Sequence, residues 1–124
     1  MEIAIIAHDG KKVDMVQFLN KNIDLLRQEK IKLIATGTTG SKAEKAGFKV
    51  KKMLSGPQGG DAQIAARVAE GKTKMVLFFK DPLASHAHEV DINMLLRVCD
   101  VHNVPIATNE ASAQLLLSAI TLLP

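Results

Sequence analysis

The chain has no tryptophan and no tyrosine, and only four phenylalanines among its 124 residues. Binding of single-stranded nucleic acid normally relies on aromatic rings that stack on bases, so that class of function is disfavoured. The net charge of +3 is small, and the basic residues are scattered apart from a cluster between Lys42 and Lys52. Solvated helix faces account for such a pattern better than a nucleic-acid patch does. A positive field still helps to attract a small anionic substrate. There is one cysteine, Cys99, so no internal disulfide can form, which fits a reducing cytoplasm. It falls on the apolar stripe of a helical pattern and reads as core. No long uncharged apolar run exists, so no membrane-spanning helix is expected. No leader is expected either, because the first strand pattern starts at Glu2 and runs directly into polar, site-like residues. Repeats, linkers and low-complexity stretches are absent, and the length suits one domain over residues 1–124. Two nucleotide-binding signatures are missing too: no Gly-x-Gly-x-x-Gly follows the first strand, and no Walker A spacing occurs.

What is present is an alternation of apolar runs and helical patterns. Strands are expected at Ile3–Ala7, Leu33–Ala35, Val50–Leu54, Met75–Phe79 and Val104–Ala107. Between them lie helical patterns. The first runs from Lys11 to Glu29 with a break near Asn20-Lys21-Asn22, the second from Thr38 to Gly47, and the third from Asp61 to Glu70. The fourth starts at His88 or Val90 and reaches Val101, with Ile92, Leu95, Leu96 and Cys99 at helical spacing. Ala113, Leu116, Leu117 and Ile120 form the inner stripe of a last helix. Near-continuous apolar strands separated by helices predict a parallel sheet covered on both faces, an α/β fold. Ligands of such sheets bind at the carboxyl ends of the strands.

The unusual polar residues gather at those ends. His8-Asp9 and then Lys12 follow the first strand, and Thr36-Gly37-Thr38-Thr39-Gly40 follows the second. Ser55-Gly56-Pro57-Gln58-Gly59-Gly60-Asp61 follows the third. Asp81, His86, His88 and Asp91 follow the fourth, and Thr108-Asn109 the fifth. Threonines and glycines at a helix start offer hydroxyls and open N–H groups suited to a phosphate, although a plain Ser/Thr helix cap would look the same. Lys12 can add a cation. Asp61 is repelled by a phosphate, so it either caps its helix or acts as a base on the carbon end of a phosphorylated substrate. Asp9 is equally open to a capping role. The histidines and acids have no zinc-like spacing, so no metal is expected. His86 and His102 read as surface histidines.

Taken in order, Ala7-His8-Asp9, Ala35-Thr36-Gly37-Thr38-Thr39-Gly40, Ser55-Gly56-Pro57-x-Gly59-Gly60-Asp61-x-Gln63-Ile64 and Phe78-Phe79-x-Asp81-Pro82-Leu83 form a pattern. His88, Asp91, Leu95-Leu96-Arg97 and Pro105-x-Ala107-Thr108-Asn109 continue it. The chain resembles the methylglyoxal synthase family over essentially its whole length. The resemblance implies a three-layer α/β/α fold with a five-stranded parallel sheet in the order 3-2-1-4-5. It implies conversion of dihydroxyacetone phosphate to methylglyoxal and inorganic phosphate, a glycolytic bypass that uses no metal or organic cofactor. By motif, Asp61 matches the base and His88 the histidine at the substrate's oxygens. Asp9, Asp81 and Asp91 match the active-site acids, with His8 beside them. Lys12, Thr36, Gly37, Thr38, Thr39, Ser55 and Gly56 match the phosphate site, and Gly60 is a candidate backbone donor. The family further implies a cytoplasmic homohexamer inhibited allosterically by phosphate, with no nucleic-acid or membrane partner.

Three departures stand out. Gln63-Ile64-Ala65-Ala66 replaces the usual Gln-Ile/Val-Gly-Ala, adding one methyl that a helix should tolerate. Ala87-His88 replaces Pro-His. Some members carry a tail arginine near a neighbouring subunit's phosphate site, and none follows Pro124 here, so phosphate sensing between subunits is not expected to use one. The same fold also resembles the effector-binding domain of carbamoyl phosphate synthetase, which is not catalytic. A further relative in fold is the cyclohydrolase domain of purine synthesis. Asp61 together with His88 favours the enzyme over the first, and the set of acids favours it over the second.

Overall fold

The computed structural model describes residues 1–84 and 92–122. Strands β1 (Glu2–Ala7), β2 (Lys32–Ala35), β3 (Val50–Lys52), β4 (Thr73–Phe79) and β5 (Ile106–Ala107) form a parallel sheet in the order β3-β2-β1-β4-β5. This is the strand order expected from the family resemblance. Helices α1 (Lys12–Lys21), α2 (Ile23–Leu26), α3 (Gly37–Lys45), α4 (Gly60–Ala69), α5 (Ile92–Val101) and α6 (Glu110–Ala119) connect and cover the strands.

The apolar runs become buried strands because both faces of the sheet are covered. Successive side chains alternate between faces. Ile3, Ile5 and Ala7 of β1, with Met75, Leu77 and Phe79 of β4, pack against Met15, Phe18 and Leu19 of α1, Ala43 of α3 and Leu117 of α6. Ala4 and Ile6, with Val76 and Phe78, pack against Ile64 and Val68 of α4 and Leu95 and Cys99 of α5. Phe18 is fully buried and meets the Phe79 ring edge-on at 5.3 Å. Truncating such a ring to alanine costs about 3–5 kcal/mol. Cys99 is a core residue, as expected, and burial followed by the nearby Asp100 carboxylate pushes its thiol up to about 11.

The outer strands are shorter than their apolar runs suggest. β3 ends at Lys52 because the backbone of Leu54 leaves the ladder: its N–H donates to Gln63 and its carbonyl accepts from Gly37. β5 starts only at Ile106, since Pro105 has no N–H to place in a ladder. The break near Asn22 is present, and the Asn22 side-chain amide closes α1 by donating to the Phe18 carbonyl at 2.9 Å. α2 stops at Leu26, short of Glu29. His86, His88 and Asp91, and the helix start expected at His88 or Val90, fall outside the described residues. Among the described residues, no helix is long and apolar enough to cross a membrane.

The amino-terminal edge of the sheet is held by charge. Arg67 of α4 donates to both carboxylate oxygens of Glu2, at 2.9 and 2.6 Å, and the Thr73 hydroxyl donates to the same carboxylate at 2.6 Å. The Arg67 hydrogen bond lowers the Glu2 carboxyl below its ordinary value of 4.5, against burial, which raises it. A carboxyl held low stabilises the fold above its ordinary value, and that stability is lost as pH falls through the lowered value. Glu2→Gln should therefore cost about 1 kcal/mol at neutral pH, discounted for the solvent access of Arg67. It should also flatten the acid limb of the stability curve below about pH 4.5. Urea midpoints measured across that range check this, and an acid limb as steep as the parent's would refute it.

Candidate active site

Because all five strands run parallel, their carboxyl ends lie on one edge, and the polar motifs meet there. Three backbone nodes organise the edge. At Ala7, the last residue of β1, the N–H donates to the Thr39 hydroxyl at 3.2 Å. The Ala7 carbonyl accepts from that hydroxyl at 3.5 Å and from the Lys12 ammonium at 3.2 Å. Sharing one acceptor brings Lys12 beside the Thr36–Thr39 turn, as a phosphate site requires. Lys12 is buried and also donates to the Asp9 carboxylate at 2.5 Å. Asp9 thus pairs with Lys12, and no side-chain cap bond closes the start of α1.

The second node is Thr36, the residue before α3. Its hydroxyl donates to Thr39 at 3.3 Å, and it makes no side-chain cap bond. The plain-cap reading of the threonines is therefore not what forms. Thr39 departs from its expected role as well: the residue is fully buried and its hydroxyl is turned to Ala7. By helix geometry, the amides of Thr38 and Thr39 have no carbonyl in their own helix to bond. The Gly37 amide is taken by the Leu54 carbonyl at 3.1 Å.

The third node is Leu54–Ser55, just beyond β3. The Leu54 carbonyl meets Gly37 of α3 on one side and Gly60 of α4 on the other. A Cβ on Gly60 would lie 1.8 Å from that carbonyl oxygen, and one on Gly37 would lie 3.2 Å from the Ser55 nitrogen. Glycine at 60 is demanded by this approach, whereas Gly59 is demanded by its φ of 109° and would have open space for a side chain. The Gly60 amide donates to the Ser55 carbonyl at 2.9 Å. It is not the open backbone donor expected from the motif; the turn itself uses it. Asp61 follows in the first turn of α4, half-buried, with one carboxylate oxygen accepting from the Ala62 N–H at 2.9 Å. The cap position belongs to Gly59, so Asp61 is not the helix cap.

His8 and Asp81 meet where β1 and β4 end. The Asp81 N–H donates to His8 Nδ1 at 2.9 Å, so the neutral ring carries its proton on Nε2. His8 is buried and meets the Phe78 ring edge-on at 5.1 Å. One Asp81 carboxylate oxygen accepts from the Leu83 N–H at 3.1 Å, and the other lies against Gly10, 2.6 Å from where a Cβ would stand. A cleft of about 290 Å³ opens farther along this edge, lined by Lys11, Lys80, Pro82, Thr108 and Asn109 and by none of the residues expected to hold a phosphate. Asn109 caps α6 by accepting from the Ser112 N–H at 2.9 Å. Among the described residues, no group of three or more His, Cys, Asp or Glu side chains is placed to hold a metal ion.

The chain is similar to known proteins over nearly its whole length. A family model described as the MGS-like domain matches residues 14–108. A methylglyoxal synthase of Clostridium botulinum (strain Alaska E43 / Type E3) is 52% identical over 118 residues, covering 94% of this chain and 98% of the relative. One from Carboxydothermus hydrogenoformans is 53% identical over 121 residues, covering 97% and 98%. The chain belongs to the methylglyoxal synthase family. The crystal structure of methylglyoxal synthase from Elizabethkingia anophelis NUHP1 superposes with a TM-score of 0.90 at 42% identity, covering 94% of this chain and 76% of that one.

Of the departures from the family pattern, Ala65 is buried on the inner face of α4 among Ile64 and Val68, where its added methyl is accommodated. Gln63 belongs to the family motif but had no assigned task. Its Oε1 accepts from the Leu54 N–H at 2.8 Å, a partner nine residues earlier that no local spacing rule points to. The two adjacent glycines supply a direct test of the third node. Gly60→Ala should destabilise by about 3 kcal/mol through the overlap with Leu54. Gly59→Ala should cost only the left-handed strain of about 1–2 kcal/mol. Denaturant unfolding of both variants checks the order, and equal losses would contradict the close-approach account.

Proposed function

We propose that the protein is a lyase that converts dihydroxyacetone phosphate to methylglyoxal and inorganic phosphate, acting as one domain over residues 1–124. The observation that carries this reading is the Leu54–Ser55 node, which joins a phosphate-type helix start at α3 to the turn of α4 that bears Asp61. The likeness in sequence to methylglyoxal synthases over nearly the whole chain supports it.

In this mechanism Asp61 removes a proton from the carbon beside the ketone, giving an enediolate. His88 donates to the developing oxyanion; a preorganised donor of this kind is worth about a hundred- to a thousandfold. Asp9 or Asp91 moves the proton to an oxygen of the intermediate. His8, its Nδ1 engaged by the Asp81 amide, offers a donor at Nε2 rather than a base. Lys12, the Thr38 amide, Thr36, Ser55 and Gly56 hold the phosphate, while Gly37 and Thr39 hold the cradle itself against Leu54 and Ala7. Triosephosphate isomerase makes the same intermediate and keeps its phosphate. The difference lies in geometry: when the bridging C–O bond stands perpendicular to the enediolate plane, its orbital overlaps the π system and phosphate leaves. The cradle fixes that angle and neutralises the leaving group.

Assembly into homohexamers, inhibition by phosphate, a cytoplasmic setting and a glycolytic-bypass role belong to the same proposal. Exposed Val101, Leu115 and Leu122 offer apolar surface for subunit contacts. Release of methylglyoxal and phosphate from dihydroxyacetone phosphate tests the activity. Asp61→Asn should lower kcat by about a thousandfold with substrate affinity retained, because the lost interaction belongs to the transition state. Lys12→Ala should mainly raise KM, by about tenfold. A parent protein that binds phosphate and turns nothing over would instead indicate an effector-binding module.

A further inference from the structure

Gln63 stands on α4, two residues past Asp61, and is exposed. Its Oε1 reaches back to accept from the Leu54 N–H at 2.8 Å. The carbonyl of the same residue accepts from Gly37 at 3.1 Å, and the next carbonyl, that of Ser55, accepts from Gly60 at 2.9 Å and from Gln58 at 3.1 Å. The segment between the phosphate cradle and the base is thus held at every polar backbone atom from Leu54 N to Leu54 O, and again at Ser55 O. All of these holds except that from Gln63 come from backbone.

Stability does not explain the exception. An exposed N–H is satisfied by water when its partner is removed. Fixing a long glutamine side chain costs rotamer entropy comparable to what one such bond returns. The position of the bond is more telling. It ties the helix that carries Asp61 to the peptide that precedes Ser55.

We infer that Gln63 is a positioning residue, which locks the phosphate end of the site to the turn that carries the base and so sets the angle at which the substrate's bridging C–O bond meets the enediolate. This rests on the lyase reading given above. Without the tether, the Gly60–Ser55 bond still holds the turn, so the fold survives while the angle is less well kept. An enediolate whose C–O bond tilts out of overlap does not expel phosphate. It takes a proton back at carbon and returns as dihydroxyacetone phosphate.

The test compares Gln63→Met, which keeps the shape and loses the acceptor, with Gln63→Glu, which keeps an acceptor oxygen in reach. In deuterated water, two quantities are followed: methylglyoxal formed, and deuterium incorporated into unreacted dihydroxyacetone phosphate. The methionine variant should lose about ten- to a hundredfold in kcat and raise deuterium incorporation per methylglyoxal formed by about tenfold. Its melting temperature should stay near that of the parent. The glutamate variant should restore both kinetic readings toward the parent's. Gln63→Asn, too short to reach Leu54, should behave like the methionine variant and serves if the latter does not fold. Parental partition and turnover in the methionine or asparagine variant, with an active parent, overturns the positioning role alone. Failure of the glutamate variant to restore partition also overturns it. A parent that forms no methylglyoxal overturns the lyase reading, and this inference falls with it.

Discussion

The contact of Gly60 with the Leu54 carbonyl sets the terms for the rest of the site. A hydrogen atom is all that fits there, and the space it saves lets the start of α4 lie directly on the chain leaving β3. Gly37 makes a similar, looser approach from α3. Two helix starts and one strand end therefore share a single peptide. Backbone brings the two halves of the site together, and Gln63 is the one side chain added to those backbone holds.

The two edges of the sheet are built on different physics. At the amino-terminal edge, Glu2, Arg67 and Thr73 satisfy one another with side chains, and the result stabilises the fold. At the carboxyl edge, the polar groups are arranged around backbone nodes at Ala7, Thr36 and Leu54, leaving amides at the start of α3 with no acceptor in their own helix. Helix α4 belongs to both: Arg67 near its end ties it to the bottom of the sheet, while Gln63 near its start accepts from the Leu54 N–H beyond β3.

Much of the fold was legible in the chain. The runs at Ile3–Ala7 and Met75–Phe79 are apolar without alternation, the mark of central parallel strands, and they are the two longest strands of the sheet. The strand order followed from the family resemblance and not from periodicity. The edge strands were overextended because a ladder's end depends on what the next residue's N–H and carbonyl find elsewhere, as at Leu54. The site was legible as a set of residue types at strand ends, and less so as roles. Thr39 looks identical to Thr38 in the sequence, yet one is fully buried and the other exposed. The amide of Gly60 reads as available until its partner five residues earlier is known. In the sequence Gln63 is only one residue of a motif, because the bond that gives it a task closes through a turn whose shape depends on Gly59 and Gly60.

Cys99 carries a chemical consequence for a protein of this family. Thiolates attack the carbonyl carbons of small dicarbonyls, the class to which methylglyoxal belongs. The one thiol of this chain lies fully buried on the α5 face of the sheet, and burial holds it in the protonated form up to a pH of about 11. The chain's most nucleophilic functional group is thereby shielded twice, by access and by ionisation, from such an electrophile.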